Sequence, residues 1–373
     1  MLHRISKDVW LATEGTCLAN GNPHRVTVAQ IAERLALSPT TVSLVLTGRG
    51  ESHRLSRRTI ERVQAAATEM GYRPNLVARQ LTGKRSNAVG VLIATQAVAD
   101  VRLIQAMELL AAERGIRFIL GQAVGTPQRV REYLDDFRDR GVDAIISIFH
   151  NHPDFRDTVL PELAQFPNVI YYEKPDHADE ATVAETWYVE PDYYRVGELG
   201  VQYLLDRGRE RIALVLNNRA FSYAKHRYRA YVETLRAAGY DEQQQRVWIM
   251  DEQPGVRWTD PFTEPLALAA VDELVVTKDA DGLVAVNDLY AARLIRALRR
   301  RGRRVPDDVA VIGCDNLEFA PLLEPPLTTL DLRGPELAQA MMELLFVRLE
   351  GGTLPPNERQ RVILPDLIVR ETA

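Results

Sequence analysis

Several kinds of catalytic and cofactor site are missing from this sequence of 373 residues. No strand-like run is followed by G-x-G-x-x-G, and G-x-x-x-x-G-K-[ST] does not occur, so the usual phosphate cradles are absent. The metal-binding patterns H-E-x-x-H and C-x-x-C are absent as well. The sequence therefore predicts no metal and no cofactor. It presents no recognisable nucleophile or general base, so it does not predict an enzyme.

Cysteines and long apolar runs are also scarce. Cys17 and Cys314 are the two cysteines, and they are too few and too far apart in sequence to suggest a disulfide framework. The longest apolar runs, such as AVGVLIA at 88–94, fall far short of the ~20 residues that a membrane-spanning helix needs. Residues 1–25 lack the apolar core of a signal peptide. We therefore expect a cytoplasmic protein with no membrane partner.

Charge is present but unevenly distributed. Residues 26–85 hold ten Lys and Arg against four Glu, a net charge of +6. Residues 1–25 carry +1, and because the whole chain carries −5, the remainder carries −12. A basic segment on an acidic body is typical of nucleic-acid binding, although a merely solvated basic face would have the same composition.

Three amphipathic helices are predicted within 26–73. Thr27 begins a capping box, Ser38 followed by Pro39 starts the second helix, and Ser56 caps the third. Two helices joined by a tight turn on a basic surface favour a helix-turn-helix domain, whose second helix enters the major groove. A three-helix bundle that binds no DNA would show the same apolar periodicity.

From residue 87 onward, short β-like runs alternate with helical stretches. The strand-like runs are 88–94, 116–121, 142–149, 168–173, 211–217, 246–250, 282–286 and 309–314. Such alternation predicts parallel sheets, and the rhythm restarts after about residue 190, which predicts two α/β subdomains. A ligand is then expected at the carboxyl ends of the strands, between the subdomains.

Particular motifs resemble those of one known family, the lac repressor family of transcriptional regulators. They begin in the basic segment and continue through the α/β body. The matching stretches are VTVAQIAERLALSPTTVSLVLTGRG, LSRRTIERVQAAATEMGYRPNLVARQLTGKRSNAVGV, RGRERIAL, NDLYAARLIRALRRRGRRVPDDVAVIGCDN, EPPLTTLD and VILPDLIVRE. Together they extend over residues 26–371.

This resemblance implies a multi-domain chain. A small all-α helix-turn-helix domain would be joined to an α/β core of two subdomains with the type I periplasmic-binding-protein fold. The expected domain boundaries are 1–25 for a disordered tail, 26–73 for the DNA-binding domain, 74–86 for a hinge helix and linker, and 87–373 for the effector-binding core.

The resemblance also assigns DNA-binding residues to the second helix. Base contacts fall on Pro39 and Thr40. The positions that face phosphates are Ser38, Thr41 and Ser43, and Thr27, which caps the first helix, is also assigned to DNA binding. Many relatives place an arginine where this chain has Leu44, which offers only an apolar contact, for example to a thymine methyl.

The segment PNLVARQLTG, residues 74–83, matches the family's hinge helix. Its two turns are too short to persist alone in water, with Asn75 as N-cap and Gly83 as the stop. In the family, two such helices pair in the minor groove at the centre of a palindromic operator. The resemblance then makes Leu81 the wedge between base steps, with Val77 facing the sister helix and Ala78 allowing close approach. Packing of Leu81 on the domain below is the alternative.

The effector site implied by the resemblance includes Arg227, which would bind ligand hydroxyls or a carbonyl through its fixed donors. By the same resemblance, Asp288 would accept sugar hydroxyls. Two further candidates come from the sequence itself: Trp258, which could stack on the apolar face of a sugar, and His150, which ends a strand. The alternatives are a surface arginine, a helix-capping aspartate and a core tryptophan. Residues 98–101 and Cys314 depart from the family pattern, in which aromatic residues are usual.

The sequence therefore predicts a dimeric transcriptional regulator, with a repressor favoured, that binds double-stranded operator DNA and a small-molecule effector. A carbohydrate is the favoured effector and a nucleoside the second choice. The rival hypotheses are a constitutive or architectural DNA binder whose pocket no longer functions, and an α/β enzyme fused to a helix-turn-helix.

Replacing Leu81 with alanine tests the hinge assignment. We expect Leu81→Ala to weaken specific operator binding by about a few kcal/mol or less and to reduce bending, because the wedge that unstacks the central base step is gone. The bend angle can be measured by fluorescence energy transfer across an end-labelled operator. An unchanged angle would reject the wedge.

Overall fold

A computed structural model describes residues 26–46, 48–72, 85–93, 98–122, 126–148, 150–151, 156–176, 180–257 and 260–373. The chain divides into two compact units, with the boundary between Lys84 and Arg85. Five of the predicted site residues lie outside the described residues: Asn75, Val77, Ala78, Leu81 and Trp258. The predicted tail, 1–25, lies outside them too.

The first unit is a three-helix domain. Its helices are α1 (Val28–Leu35), α2 (Pro39–Leu46) and α3 (Arg57–Glu69). They enclose a small core formed by Ile31, Ala32, Val42, Val45, Val63, Ala66 and Ala67. Apolar side chains at helical spacing thus pack on one another, as the periodicity of the sequence predicts.

Local capping explains why these helices begin where they do. Thr27 and Gln30 form a complete capping box at the start of α1. The Ser38 hydroxyl accepts from the Thr41 backbone N–H at 3.0 Å, and Ser56 caps α3 in the same way. All three predicted caps are confirmed.

The second unit contains two lobes, each built on a sheet of six strands among the described residues. The strands are β1 (Ala88–Ile93), β2 (Arg117–Gln122), β3 (Ala144–Ser147), β4 (Val169–Tyr172), β5 (Tyr188–Pro191), β6 (Ile212–Leu216), β7 (Arg246–Ile249), β8 (Gly282–Ala285), β9 (Ala310–Cys314), β10 (Thr328–Asp331), β11 (Gln360–Ile363) and β12 (Asp366–Ile368). The first lobe has the order β11-β5-β4-β3-β1-β2, and the second has β12-β10-β9-β8-β6-β7. The predicted architecture of two α/β subdomains is confirmed.

Helices cover the strands in both lobes. They are α4 (Val98–Glu113), α5 (Pro127–Asp139), α6 (Arg156–Leu163), α7 (Glu180–Glu185), α8 (Tyr193–Asp206), α9 (Ser222–Ala237), α10 (Glu264–Val271), α11 (Asp288–Arg300), α12 (Gly334–Leu349) and α13 (Pro356–Arg359). A π-helical turn, Asp272–Thr277, continues α10. Coverage on both faces explains why strands such as β6 and β9 are buried along their whole length.

The chain passes between the lobes more than once. It leaves the first lobe after β5, returns after β10 into α12 and β11, and crosses again to β12. β11 pairs in parallel with β5, whereas β12 pairs antiparallel with β10. The first lobe is therefore completed by a strand close to the carboxyl end of the described chain, an arrangement that the alternation of strands and helices alone did not predict.

Helices α8 and α9 approach each other very closely in the second lobe. A Cβ atom added at Gly197 would lie 2.7 Å from the carbonyl oxygen of Arg227 and 2.9 Å from the Cβ of Ala230. Glycine is thus required at this position for steric reasons, and the contact fixes the position of the Arg227 backbone.

Within the described part of the chain, no helix has the length and apolar character needed to span a bilayer.

We expect Gly197→Ala to destabilise the protein by about 1–3 kcal/mol, because a new methyl group would overlap the α9 backbone. Gly334→Ala is the matched control, since nothing lies within 4 Å of a Cβ added there. Urea unfolding of the two variants measures both effects. Equal stabilities would show that α8 and α9 can move apart without cost.

Candidate functional site

The exposed surface of the first unit includes the start of α2. Ser38, Pro39 and Thr40 are exposed, whereas Ser43 and Leu44 are partly covered. The Thr41 hydroxyl lies 2.8 Å from that of Ser38. The predicted base-contacting positions are therefore accessible, and Leu44 is less so.

Some arginines of the basic segment are used to hold the unit together. Arg34 on α1 pairs with Glu69 on α3 at 2.5 Å. Arg62 on α3 donates to the backbone oxygen of Leu35 at 3.3 Å. These two side chains link helices, so the charge count overstates the number of cations available to phosphates.

In the second unit, Arg227 is buried in the second lobe. It is 5% exposed, which excludes the alternative of a surface arginine. Its Nη1 donates to the backbone oxygen of Val286 at 2.6 Å, and its Nη2 lies 3.3 Å from the Sγ of Cys314. Its Nε has no hydrogen-bond partner. One buried donor of a permanently charged group is therefore left for another acceptor.

Aromatic rings surround the same guanidinium. Its carbon lies 5.3 Å from the ring centroid of Tyr193 and 5.6 Å from that of Tyr223. Phe221 stacks on Tyr223 at 5.4 Å, with the ring planes 10° apart. Cation–π attraction and flat apolar faces thus occur together where α8 begins and in the first two turns of α9.

Carboxyl groups from both lobes lie near this cluster. Burial raises the pKa of Glu173, just after β4, to about 8, and the charges of Glu190 and Asp176 add to that effect. Burial also raises the pKa of Asp315, after β9, to about 8, with a further contribution from Asp288. Each of the two groups would hold its proton more firmly than a solvated carboxyl group.

Asp288 is fully buried, and its role differs from the capping alternative. Asn287, not Asp288, caps α11. The Asp288 oxygens accept from the backbone N–H of Leu317 at 2.7 Å and from the hydroxyl of Thr329 at 2.5 Å. Burial raises its pKa to about 6. The side chain therefore ties together three segments of the second lobe, and both of its oxygens are already engaged.

His150 is buried after β3 and packs edge-on against Tyr171, with ring centroids 4.7 Å apart. Burial lowers its pKa to about 3, so the ring is neutral at physiological pH. The contacts of the described residues place His150 beside Tyr171 and do not connect it to Arg227. Both of its ring nitrogens lack a hydrogen-bond partner among the described residues, and its role in ligand binding stays a prediction.

Several polar contacts join the lobes across the cleft between the two sets of carboxyl strand ends, among them the hydrogen bond that the Tyr193 hydroxyl donates to Oε1 of Glu173 at 2.8 Å. Arg102 on α4 donates to the backbone oxygen of Asn316 at 3.2 Å, and Lys225 on α9 lies 3.5 Å from Asp176 in the loop after β4. Asn316 is held by Asp331 through its amide nitrogen and by an arginine through its amide oxygen. The second lobe thus presents a fixed carbonyl to the first.

Reasoning from the sequence missed Tyr193 and Tyr223 altogether. Both lie in the first turn of a helix that follows a strand of a parallel sheet, the region where ligand-contacting residues collect. That position was the available signal. The family pattern directed attention instead to 98–101, where α4 begins and Val98 is half exposed.

Comparisons with known proteins match either part of the chain or nearly all of it. Residues 201–373 match the model of a periplasmic binding protein-like domain. The HTH-type transcriptional regulator CelR of Thermobifida fusca is 30% identical over 359 residues, which cover 93% of this chain and 98% of that protein.

Two solved structures are similar along nearly the whole chain. A CelR–cellobiose complex aligns with a TM-score of 0.65 at 26% identity, covering 94% of this chain and 100% of that one. A lac repressor dimer bound to operator and the anti-inducer ONPF aligns with a TM-score of 0.78 at 21% identity, covering 93% and 98%. At that lower identity the likeness concerns the fold alone.

Asp288→Asn tests whether the aspartate is structural. We expect a loss of about 1–3 kcal/mol, because the amide keeps one oxygen for the Leu317 N–H but places an NH2 group against Thr329, whose hydroxyl would have to change from donor to acceptor. A double-mutant cycle with Thr329→Val, measured by urea unfolding, checks this. The double variant should lose less free energy of unfolding than the sum of the losses in the two single variants. Strict additivity would show that the Asp288–Thr329 hydrogen bond contributes nothing.

Proposed function

The chain belongs to the lac repressor family of transcriptional regulators, and we propose that it is a repressor that binds a palindromic operator as a homodimer and responds to a small-molecule effector. The proposed domains are 26–73 for DNA binding, 74–86 for the hinge and 87–373 for effector binding. The two lobes of the second unit would enclose the effector. The observation that carries the effector half is the buried Arg227, whose Nε has no partner.

The first unit supports the operator half of the proposal. The start of α2 is exposed at the residues that would contact bases, Pro39 and Thr40, and Ser38 is exposed beside them. A helix N-terminus also favours an adjacent phosphate through its free backbone N–H groups. Leu44 would make at most an apolar contact at its position in the groove.

A carbohydrate is the favoured effector. Tyr193 and Tyr223 offer ring faces, and Arg227 offers a directed donor between them, a combination that suits the apolar face and the hydroxyls of a sugar. The similar CelR protein was solved with cellobiose, which makes that disaccharide the first probe. A nucleoside, which also stacks and accepts hydrogen bonds, is second.

The intact arginine site favours a responsive regulator over a constitutive DNA binder. A buried guanidinium with a free donor is costly to keep, and the aromatic residues around it are well packed. We also propose that the protein is not an enzyme, in line with the similar proteins, which are named as transcriptional regulators and repressors.

Selection from random DNA duplexes tests the first half of the proposal. Purified protein should enrich a near-palindromic sequence, and Thr40→Ala should change the preferred bases of each half-site. Enrichment of no sequence, or of a single asymmetric half-site by a monomer, would overturn the operator proposal.

Arg227→Lys tests the second half. Lysine keeps the charge but loses the planar fork, so we expect at least about tenfold weaker binding of cellobiose, or of the first sugar or nucleoside that shifts the wild-type melting temperature, with operator affinity unchanged. Calorimetry and a DNA-binding assay measure the two affinities. Arg229→Lys is the matched control, because Arg229 lies on the same helix over Tyr194 but is exposed. Equal ligand affinities in the two variants would remove Arg227 from the site.

A further inference from the structure

The chain enters the second unit through residues 85–88, which we call the root and which end with the first residue of β1. Ser86 is 7% exposed, whereas Arg85 and Asn87 are exposed. Gly83, the expected end of the proposed hinge helix, lies three positions before Ser86 in the sequence. Since a chain spans at most about 3.6 Å for each residue, the group that holds Ser86 determines to within about 11 Å where the hinge leaves the core.

The carboxylate of Asp143, directly before β3, holds the root. It accepts from the Ser86 backbone N–H at 2.9 Å and from the Asn87 N–H at 2.6 Å. The Asp143 N–H donates to the Ala88 oxygen at 2.8 Å, and its backbone oxygen accepts from the Asn168 side chain, just before β4, at 2.9 Å. The root is therefore bonded through Asp143 to the amino ends of two further strands of the first lobe.

Hydrogen bonds, more than close packing, fix the backbone of the root. A cavity adjoins it, with Arg85, Asn87 and Asp143 in the lining. Asn87 has a left-handed backbone conformation with φ of 54°, which is uncommon for a residue that carries a side chain. The Ala88 N–H donates to the Ser86 hydroxyl at 3.1 Å. Because space remains beside Asn87, its conformation depends on the bonds to Asp143.

The second lobe contains the same arrangement at the equivalent place. Asp281 directly precedes β8, and its carboxylate accepts from the backbone N–H groups of Glu210 at 3.2 Å and Arg211 at 2.9 Å, just before β6. Strands β8 and β6 are neighbours in their sheet, as β3 and β1 are in theirs. In the second lobe the chain reaches this point from α8, whereas in the first lobe it comes from the DNA-binding unit.

The two carboxylates differ in what else they bind. Asp281 also pairs with Nη2 of Arg211 at 3.2 Å and is 9% exposed. Among the contacts of the described residues, the Asp143 carboxylate accepts from the two N–H groups of the root alone. Replacing Asp281 therefore removes at least as many interactions as replacing Asp143, which makes it a strict control for loss of stability.

Two successive N–H groups bound to one carboxylate fix both the position and the direction of the root. A root held by a single bond could rotate about it. An effector changes operator affinity only if the two arrangements of the core differ at the hinge. In a root that rotates, movement of the first lobe would be absorbed before it reached the hinge.

We propose that Asp143 is a positioning residue for the operator response, because it fixes the direction in which the chain leaves the first lobe and so makes movement of that lobe move the hinge. The inference deepens the proposed function and rests on it for the response to an effector. Fixation of the root itself requires neither DNA nor effector and can be measured without them.

Mobility of the root is the direct measurement. Arg85→Cys, in a Cys17→Ser background, carries a fluorophore next to Ser86, and Cys314 is buried. Time-resolved anisotropy should show a larger amplitude of nanosecond motion in Asp143→Asn than in the parent protein, because an amide offers one acceptor oxygen to the two N–H groups. Asp281→Asn should leave the motion at position 85 unchanged.

The operator response is the functional measurement. Operator affinity is determined with and without cellobiose, on the sequence selected from random duplexes. Asp143→Asn should reduce the ratio of the two affinities by at least about threefold, where such couplings are typically about 5–150-fold, with cellobiose affinity unchanged in calorimetry. Asp281→Asn should keep the parent ratio, although its stability in urea should fall at least as much, because the carboxylate that pairs with Arg211 is also lost.

Asn87→Gly provides an independent test should Asp143→Asn fail to fold. Glycine adopts the left-handed conformation of residue 87 without strain and keeps the N–H, so folding is preserved while the root gains backbone freedom. We expect smaller changes of the same sign in both measurements. Asp279→Gly is the matched control, since Asp279 has a φ of 52° in the second lobe, two positions before Asp281.

Equal motion at position 85 in the parent protein, Asp143→Asn and Asn87→Gly would overturn the inference. A parent ratio kept in Asp143→Asn, or a ratio that falls equally in Asp281→Asn, would overturn it as well. A parent protein that selects no operator, or whose operator affinity no sugar or nucleoside changes, would overturn the proposed function and the response with it. Anisotropy would then still decide whether Asp143 fixes the root.

Discussion

A guanidinium that cannot lose its charge lies almost out of water in the second lobe, and much of the surrounding structure compensates for it. Arg227 is placed by the close approach of α9 to Gly197, held by a backbone carbonyl, and flanked by two tyrosine rings. Each compensation is partial, since Nε still lacks a partner. A buried guanidinium with one unpaired N–H is well suited to bind a ligand that supplies the missing hydrogen-bond acceptor.

The two lobes have separate sheets but are connected by the chain and by side-chain contacts. Each has its own sheet and its own buried strands, yet the chain connects them at several crossovers, and side chains meet across the cleft near them. A structural change at the strand ends of one lobe can therefore reach the other lobe through one or two side-chain contacts. Such short paths favour two discrete arrangements of rigid bodies over gradual deformation.

What could be predicted from the sequence was mostly local. Thr27, Ser38 and Ser56 cap helices through bonds to residues three positions away, so the signal and the structure lie within one turn. The strands were recognisable because both faces of the sheets are covered, which makes their sequences continuously apolar. The order of strands was not recognisable, since pairing such as β11 with β5 joins segments about 170 positions apart.

The candidate site shows the same limit. Arg227 was singled out by resemblance to a family, whereas its partners Tyr193 and Tyr223 have no spacing in the chain that ties them to it. Asp288 was expected to accept ligand hydroxyls, with capping of α11 as the alternative. Asn287 caps the helix, and Asp288 accepts from Leu317 and Thr329, two contacts that the sequence did not predict; its ligand role stays a prediction. Burial and contact across the sheet decide such roles, and neither is visible in a linear pattern.

The late strand β11 has a consequence for synthesis of the protein. The first lobe begins at residue 85, but its sheet lacks an edge strand until residues 360–363 have been made. Because a nascent chain folds largely in the order in which it emerges, that lobe must wait, with one side of β5 unpaired, while the whole second lobe is translated. A product truncated before residue 360 would lose edge strands from both lobes at once. The last fourteen residues of the sequence thus determine whether either half of the core is finished.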